Sequence, residues 1–295
     1  MRAAACATLL AIAAGLPHAG GRPAVPRVTV HAWVENERGL PASDLQLEEF
    51  EVLVDRAAVP LEAVVPRRAM SVVVLLDTSR TVPWSTQTLP RHLGQFAAAL
   101  PPDDRLMLAT VGGRSTALPF QPAKHDLQSA IRQALNHEEG YGNTPIWDAL
   151  HDAVTLLARE PPPRAVLLLT DGRATGNRYG LAESADHAMA NDVSVTVVAK
   201  HIGRQILQGE KTAVLVQPWA PLEAVTRYTG GQFFTYPERQ EEAAVTLFQG
   251  AAASLRGLHA FGFTPVQRNG AAHRLEIRSK RPGRIVHAPL AFVAR

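Results

Sequence analysis

Two uninterrupted apolar runs constrain the fold of this 295-residue chain more than any other feature of its sequence. Val72–Leu76 is followed directly by Asp77, and Ala165–Leu169 leads into Thr170–Gly172. Apolar runs without polar alternation are typical of strands that are covered on both faces, as in a parallel sheet. Segments with apolar residues at helical spacing lie between these runs and after them. This alternation predicts an α/β domain over residues 70–256, with a doubly wound, mainly parallel sheet flanked by helices.

The two flanks of this domain show strand patterns instead. Val28–Val34 alternates with period two, and further strands are predicted at 50–54 and 61–65. After the α/β domain, strands are predicted at 258–263, 273–278 and 284–292. Neither flank is long enough to bury a core alone. We therefore predict a small β domain built from both ends of the chain, in which residues 257–295 pack with residues 25–66.

The amino end has the three-part build of a secretory signal, which we assign to residues 1–21. Met1 and Arg2 give a positive start, residues 3–16 carry no charge, and small residues follow at 19–21. The apolar stretch is too short to span a bilayer, and no later segment approaches the ~20 apolar residues of a membrane helix. The sequence therefore predicts a secreted or periplasmic protein without an integral membrane segment once the signal is removed.

Composition and motifs exclude several classes of function. The single cysteine, Cys6, lies in the predicted leader, which excludes a disulfide framework and a cysteine-type zinc site. The net charge is only +3 and no long Lys/Arg run occurs, so nucleic acid is not expected as a partner. The phosphate-loop, nucleophile-elbow and H-E-x-x-H patterns are absent from the sequence. We therefore expect a protein that is not an enzyme.

Oxygen-bearing side chains gather in three predicted loops. Open α/β sheets bind ligands beyond the carboxyl ends of their strands, where these loops lie. The set contains no thiolate and no histidine, and such hard ligands favour Mg²⁺, Mn²⁺ or Ca²⁺ over zinc. The predicted metal-binding residues are two carboxylates and three hydroxyls: Asp77, Ser79, Thr81, Thr144 and Asp171.

Each loop also has a simpler interpretation. Asp77 or Ser79 can cap a helix, Thr144 followed by proline can begin one, and Asp171 followed by glycine is an ordinary turn. The occurrence of all three loops at one predicted sheet edge favours the metal site.

The pattern D-x-S-x-T over 77–81, a single Thr144 and the T-D-G step at 170–172 resemble the metal-ion-dependent adhesion site of von Willebrand factor A-type domains. The flanking segments 45–52, 261–265 and 281–283 resemble the bacterial VWFA-related Acidobacterial domain family. The resemblance implies protein–protein interaction or adhesion through the cation. In this family pattern Ser79, Thr81 and Thr144 would be direct ligands, and the two aspartates would hold the ion largely through water. An acidic residue of a protein partner would complete its shell.

The sequence departs from the family pattern at three positions: Val82 stands where methionine is usual, and the other two are residues 80 and 81. Thr81 stands where a serine is usual, and Arg80 stands where a small residue is usual. A cation at Arg80 either repels the metal or pairs with a carboxylate of the partner. Two alternatives therefore stay open: a metal-independent interaction scaffold of the same fold, and a metal-dependent hydrolase.

Two further features stay open at this stage. Trp84 and Trp147 follow the predicted metal loops, and they either pack in the core or rim a partner surface. The stretch 201–219 is long for a connection, and residues 211–217 within it form either an edge strand or a flap.

Overall fold

The computed structural model describes residues 28–82, 84–112, 117–123, 127–136, 142–200, 219–236, 244–265, 267 and 269–294. The strands are β1 (Val28–Glu35), β2 (Phe50–Val54), β3 (Ala57–Val59), β4 (Leu61–Pro66), β5 (Ser71–Asp77), β6 (Arg105–Val111), β7 (Ala117–Pro122), β8 (Arg164–Thr170), β9 (Val193–Lys200), β10 (Phe233–Tyr236), β11 (Leu258–Phe263), β12 (Ala272–Ser279), β13 (Ile285–His287) and β14 (Ala291–Val293). The helices are α1 (Thr88–Ala99), α2 (Gln128–Leu135), α3 (Ile146–Leu157), α4 (Leu181–Ala190), α5 (Ala220–Thr229) and α6 (Ala244–Arg256), and a 3₁₀ turn spans Leu47–Glu49.

The central sheet has the order β10-β9-β8-β5-β6-β7 in the described residues. All of its strand pairs are parallel except β6 with the edge strand β7. This confirms the predicted doubly wound, mainly parallel sheet. Successive residues of β5 enter different cores: Val72 and Val74 pack on the side of α1 and α6, whereas Val73 and Leu75 pack on the side of α3 and α5. Burial on both faces explains why the strand is apolar throughout.

Both ends of the chain meet in a second, smaller unit. Among the described strands, β13-β1-β11-β4 form one sheet and β14-β12-β2-β3 form another. Their inner faces share one apolar core, in which the rings of Phe50 and Phe261 meet edge to face with centroids 5.1 Å apart. Because β1 and β2 come from the amino end and β11–β14 from the carboxyl end, neither flank completes this core without the other.

Several predicted elements differ from the structure. The single strand predicted at 284–292 is wrong: β13 pairs with β1, whereas β14 pairs with β12 in the other sheet. Pro289 lies between them and has no backbone N–H to donate to a ladder. The short strand β3 (Ala57–Val59) was not predicted. The predicted leader 1–21 and the strand or flap at 211–217 lie outside the described residues.

The smaller unit attaches to the sheet edge at which the parallel strands begin. Asp104 directly precedes β6 and pairs with Arg67 of the β4–β5 link. Asp192 directly precedes β9, and its Oδ2 lies 2.8 Å from Nδ1 of His31. Seven-residue strands such as β5 place the opposite edge roughly 23 Å away. These contacts therefore lie far from the carboxyl ends of the strands, where the candidate site is located.

Candidate metal centre

Asp77 is the last residue of β5 and is fully buried. Its Oδ1 accepts the backbone N–H of Ser79 at 2.9 Å, and its Oδ2 accepts the hydroxyl of Thr170 at 2.6 Å. The indole N–H of Trp84 donates to the backbone carbonyl of Asp77 at 2.7 Å. Partners in its own loop and at the end of β8 therefore fix this carboxylate in place.

Burial raises the pKa of Asp77 to about 6, against hydrogen bonds from Thr170 and Ser79 that lower it. The nearby carboxylate of Asp171 raises the pKa further by charge repulsion. The parallel pairing of β5 with β8 brings the ends of both strands together, although Asp77 and Thr170 are 93 positions apart in the sequence. Two buried carboxylates side by side create a local negative charge that a cation would stabilise.

Ser79 and Thr81 lie together in the loop after β5. The Oγ of Ser79 lies 3.0 Å from the Oγ1 of Thr81, so the two hydroxyls lie within hydrogen-bond distance. The side chain of Thr78 points elsewhere and donates to the carbonyl of Gly112 at 2.7 Å. Ser79 is buried and Thr81 is exposed, so this pair leads from the buried floor to the surface.

Asp171 follows β8 and is also fully buried. Its Oδ1 accepts the backbone N–H of Arg173 at 2.9 Å. Within the part of the chain that the structure describes, its Oδ2 has no hydrogen-bond partner. The Nε of Arg173 lies 4.0 Å from Oδ2, which is the outer limit of an ion pair. A buried carboxylate oxygen without a partner is costly, so this atom needs an explanation.

The third loop, which holds Thr144, is attached to the loop of Asp171. The backbone N–H of Thr144 donates to the hydroxyl of Thr175 at 2.8 Å, and the N–H of Thr175 donates to the carbonyl of Thr144 at 2.9 Å. Helix α3 begins at Ile146, and the N–H of Trp147 in its first turn donates to the side chain of Asn177 at 2.8 Å. The hydroxyl of Thr144 therefore does not cap this helix, and the residue is buried at the same sheet edge as the two aspartates.

The donor set fits a hard divalent cation. It consists of two carboxylates and neighbouring hydroxyls, which are oxygen ligands of the kind that Mg²⁺ and Mn²⁺ accept. No cluster of three or more His, Cys, Asp or Glu side chains suited to a metal occurs among the described residues. The site therefore relies on hydroxyls beside only two acidic groups. The unpartnered Oδ2 of Asp171 is the atom that a bound cation, or a water on it, would satisfy.

Both tryptophans near the site are buried in the core, so the hypothesis of an aromatic rim for a partner is wrong. Trp84 and Trp147 are 8% and 9% exposed. The ring of Trp84 meets Tyr236 edge to face with centroids 5.3 Å apart, and the ammonium of Lys200 lies over both rings. Arg80, by contrast, is exposed beside the candidate ligands.

Sequence reasoning missed three residues that position the site. Thr170 holds Asp77, Thr175 joins the loop of Thr144 to the loop of Asp171, and Arg173 lies beside Asp171. Thr170 had a signal in the T-D-G step, because a hydroxyl before the aspartate reaches the neighbouring strand end. Arg173 and Thr175 follow no spacing rule, since loop geometry alone decides where their side chains point.

The fold and the site together belong to a class of α/β domains in which loops with oxygen-bearing side chains cluster at the carboxyl edge of the sheet. The family model described as "von Willebrand factor type A domain" matches residues 71–214. The chain therefore contains a von Willebrand factor type A domain, which begins at the first residue of β5. The finer resemblance to VWFA-related Acidobacterial domain proteins stays a prediction. No curated protein matches the chain.

Solved structures with a similar fold include three of different origin. An aerotolerance-related membrane protein from Bacteroides fragilis shares 14% identity, over 62% of this chain and 98% of that one, with a TM-score of 0.45. A von Willebrand factor type A protein from Catenulispora acidiphila shares 12%, over 90% and 73%, with a TM-score of 0.46. Proximal thread matrix protein 1 from the mussel byssus, with a zinc-occupied MIDAS motif, shares 16%, over 67% and 48%, with a TM-score of 0.47. With TM-scores below 0.5, these likenesses carry no argument about function.

Proposed function

We propose that this chain is an exported binding protein that recognises a protein partner through a divalent cation, Mg²⁺ or Mn²⁺, at the carboxyl edge of its central sheet. An acidic side chain of the partner completes the coordination of the ion. The residues that hold the cation in this proposal are Asp77, Ser79, Thr81, Thr144 and Asp171.

The observation that carries the proposal is the buried Oδ2 of Asp171, which lacks a hydrogen-bond partner in the described part of the chain. The carboxylate of Asp171 lies close enough to Asp77 to raise the pKa of Asp77 by charge repulsion. Without a cation, the fold bears both the desolvation of two acidic groups and their mutual repulsion. A divalent ion at this edge would relieve both costs, and the exposed Thr81 leaves the site open to solvent on one side.

The hydrogen bonds of Asp77 favour binding over hydrolysis. A general base needs a free oxygen within reach of the proton that it removes. One oxygen of Asp77 is engaged by the N–H of Ser79 and the other by the hydroxyl of Thr170. Asp171 lies at the floor of the site with no exposed surface. These contacts support a role in holding an ion, and we propose a binding protein rather than an enzyme.

The direct test is calorimetric titration of the purified full chain with Mn²⁺ and with Mg²⁺ at pH 7.5. We expect one saturable site that the Asp171→Ala substitution removes. Because ligand binding to the folded state adds RT ln(1 + [L]/Kd), Mn²⁺ at a hundred times its Kd stabilises the fold by about 2.7 kcal/mol. Thermal melts with and without chelator measure this increment independently.

Asp103→Ala is the matched control, because Asp103 is an exposed aspartate beside the start of β6, at the opposite edge of the sheet. It should bind Mn²⁺ as the wild type does. Absence of Mn²⁺ and Mg²⁺ binding by the wild type, or unchanged binding by Asp171→Ala, would overturn the metal-dependent proposal. Partner capture that persists in chelator would instead support the metal-independent scaffold.

Export is the second part of the proposal, and it is supported by the signal-like residues 1–21. None of the helices in the described residues is long and apolar enough to cross a membrane. Fractionation of the producing cell followed by amino-terminal sequencing tests the proposal. We expect the chain outside the cytoplasm, with its leader removed, and an uncleaved chain confined to the cytoplasm would contradict export.

A further inference from the structure

Arg173 lies where it can contact both the metal site and a partner. Its backbone N–H holds Oδ1 of Asp171, and its Nε lies 4.0 Å from Oδ2 of the same carboxylate. Its side chain is 32% exposed, so the guanidinium lies at the border between the buried floor and solvent. The same Oδ2 is the atom without a hydrogen-bond partner in the described residues, and the proposed function assigns it to the cation.

We propose that Arg173 is a second anchor for the partner, so that the site selects an acidic segment with two neighbouring carboxylates. The inference rests on the proposed function. A divalent cation and the guanidinium both seek Oδ2 of Asp171, and their like charges repel at such short range. Binding of the ion therefore turns the guanidinium outward, toward solvent and toward the partner.

The charges of the site support two partner carboxylates rather than one. Asp77 and Asp171 together carry two negative charges, which balance one divalent cation. The positive charges of Arg173 and of the exposed Arg80 then remain at the border of the site, and Arg173 is the one that lies beside Asp171. One carboxylate of the partner completes the shell of the ion, and a second one pairs with the guanidinium. The planar fork of arginine suits a carboxylate, because two parallel N–H groups can donate to its two oxygens.

The experiment compares two synthetic peptides of equal length on the full chain with saturating Mn²⁺. The first peptide is Gly-Glu-Glu-Gly and the second is Gly-Glu-Gln-Gly, both blocked at their ends. We expect the wild type to bind the first about fivefold more tightly, the magnitude of a partly exposed ion pair. The first peptide also has a statistical advantage, because either of its two carboxylates could bind the ion. The expected preference is larger than this advantage. In Arg173→Gln the preference should fall to that statistical advantage, with the affinity for the second peptide unchanged.

Arg278→Gln is the matched control, because Arg278 is an exposed arginine on β12 of the smaller unit, 57% exposed. It should keep the wild-type preference. A wild type without preference, or an Arg173→Gln protein that keeps the full preference, would overturn the inference while leaving the metal site intact.

A titration of Mn²⁺ alone separates this inference from the proposed function. Because Arg173 competes for Oδ2 of Asp171, Arg173→Gln should bind Mn²⁺ about threefold or more tightly than the wild type. An unchanged Mn²⁺ affinity would refute the competition. Failure of the wild type to bind Mn²⁺ would overturn the proposed function itself, and this inference with it.

Discussion

The ion pair between Arg67 and Asp104 is the contact whose removal should destabilise the fold most clearly. The side chains are 5% and 0% exposed, and two hydrogen bonds of 2.7 Å join the guanidinium to the two carboxylate oxygens. Asp104 also accepts the backbone N–H of Met70 at 2.9 Å, and Arg67 donates to the carbonyl of Leu255 in α6 at 2.8 Å. The pair thus connects the interunit link, the start of β6 and the last helix.

Asp104→Ala leaves the buried guanidinium of Arg67 without its carboxylate and the N–H of Met70 without an acceptor. Breaking a buried pair on one side costs about 3–5 kcal/mol, because the remaining charge stays desolvated. With a urea m-value of about 2–3 kcal/mol/M, the midpoint of unfolding should fall by about 1–2 M. Urea titrations followed by both tryptophan fluorescence and circular dichroism measure this shift, and coincident transitions support the two-state treatment.

The double variant Arg67→Met/Asp104→Asn tests the reason for the loss. Neither charge remains in it, and the asparagine side chain still offers an oxygen to the N–H of Met70. We expect its free energy of unfolding to lie within about 2 kcal/mol of the wild-type value, because removal of both charges also removes their desolvation cost. If Asp104→Ala lowered the free energy of unfolding by less than about 1 kcal/mol, the reasoning would be refuted. A double variant whose loss of stability equals the sum of the losses in the two single variants would refute it as well.

Two further changes test other parts of the structure. In chelated protein, the folded state binds the proton of Asp77 more tightly than the unfolded chain does, since its pKa is about 6 instead of 3.8. Wild-type stability should therefore rise by up to about 3 kcal/mol relative to Asp77→Asn as the pH falls from 7 toward 4. Urea titrations across this range measure the difference, and parallel curves would contradict it. Gly231→Ala should cost at least about 1–3 kcal/mol, because its Cβ would overlap the carbonyl of Val195. Gly262→Ala is the control, because the nearest neighbour of its Cβ would lie at 3.4 Å, and it should lose less stability. Thermal melts of both variants measure the difference.

The central sheet could be predicted from the sequence because burial on both faces leaves a continuous apolar run. Strand β5 alternates between two cores, and its residues are apolar for that reason. The structure places Asp77 and Asp171 at the ends of two neighbouring strands, at the one sheet edge that the sequence predicted for these loops. The contacts of Thr144 could not be predicted, because they depend on a loop-to-loop hydrogen bond with Thr175.

The smaller unit shows where local patterns are insufficient. Residues 284–292 have a continuous strand pattern, yet they cross from one sheet to the other around Pro289. Strand β3 was missed because the turn before it uses Asp55 and Arg56 with φ of 50° and 71°, without the glycine that usually marks such a turn. The pairing of Arg67 with Asp104 has no local signal, because the two residues are 37 positions apart and meet only when the two units pack.

Two fully buried aspartates of this chain, Asp104 and Asp171, differ in how their oxygens are satisfied. Both oxygens of Asp104 accept hydrogen bonds from Arg67, and one also accepts the N–H of Met70. In the described structure, one oxygen of Asp171 accepts a single backbone N–H and the other has no hydrogen bond. A fold that satisfies one buried carboxylate completely gains nothing in stability from leaving another incomplete. The incomplete one lies at the carboxyl edge of the sheet, where α/β folds bind ligands, whereas the satisfied one lies at the edge covered by the smaller unit. The same residue type therefore holds the structure together at one edge, and at the other it leaves a buried oxygen unpartnered in the described structure, for which the proposed function supplies a cation.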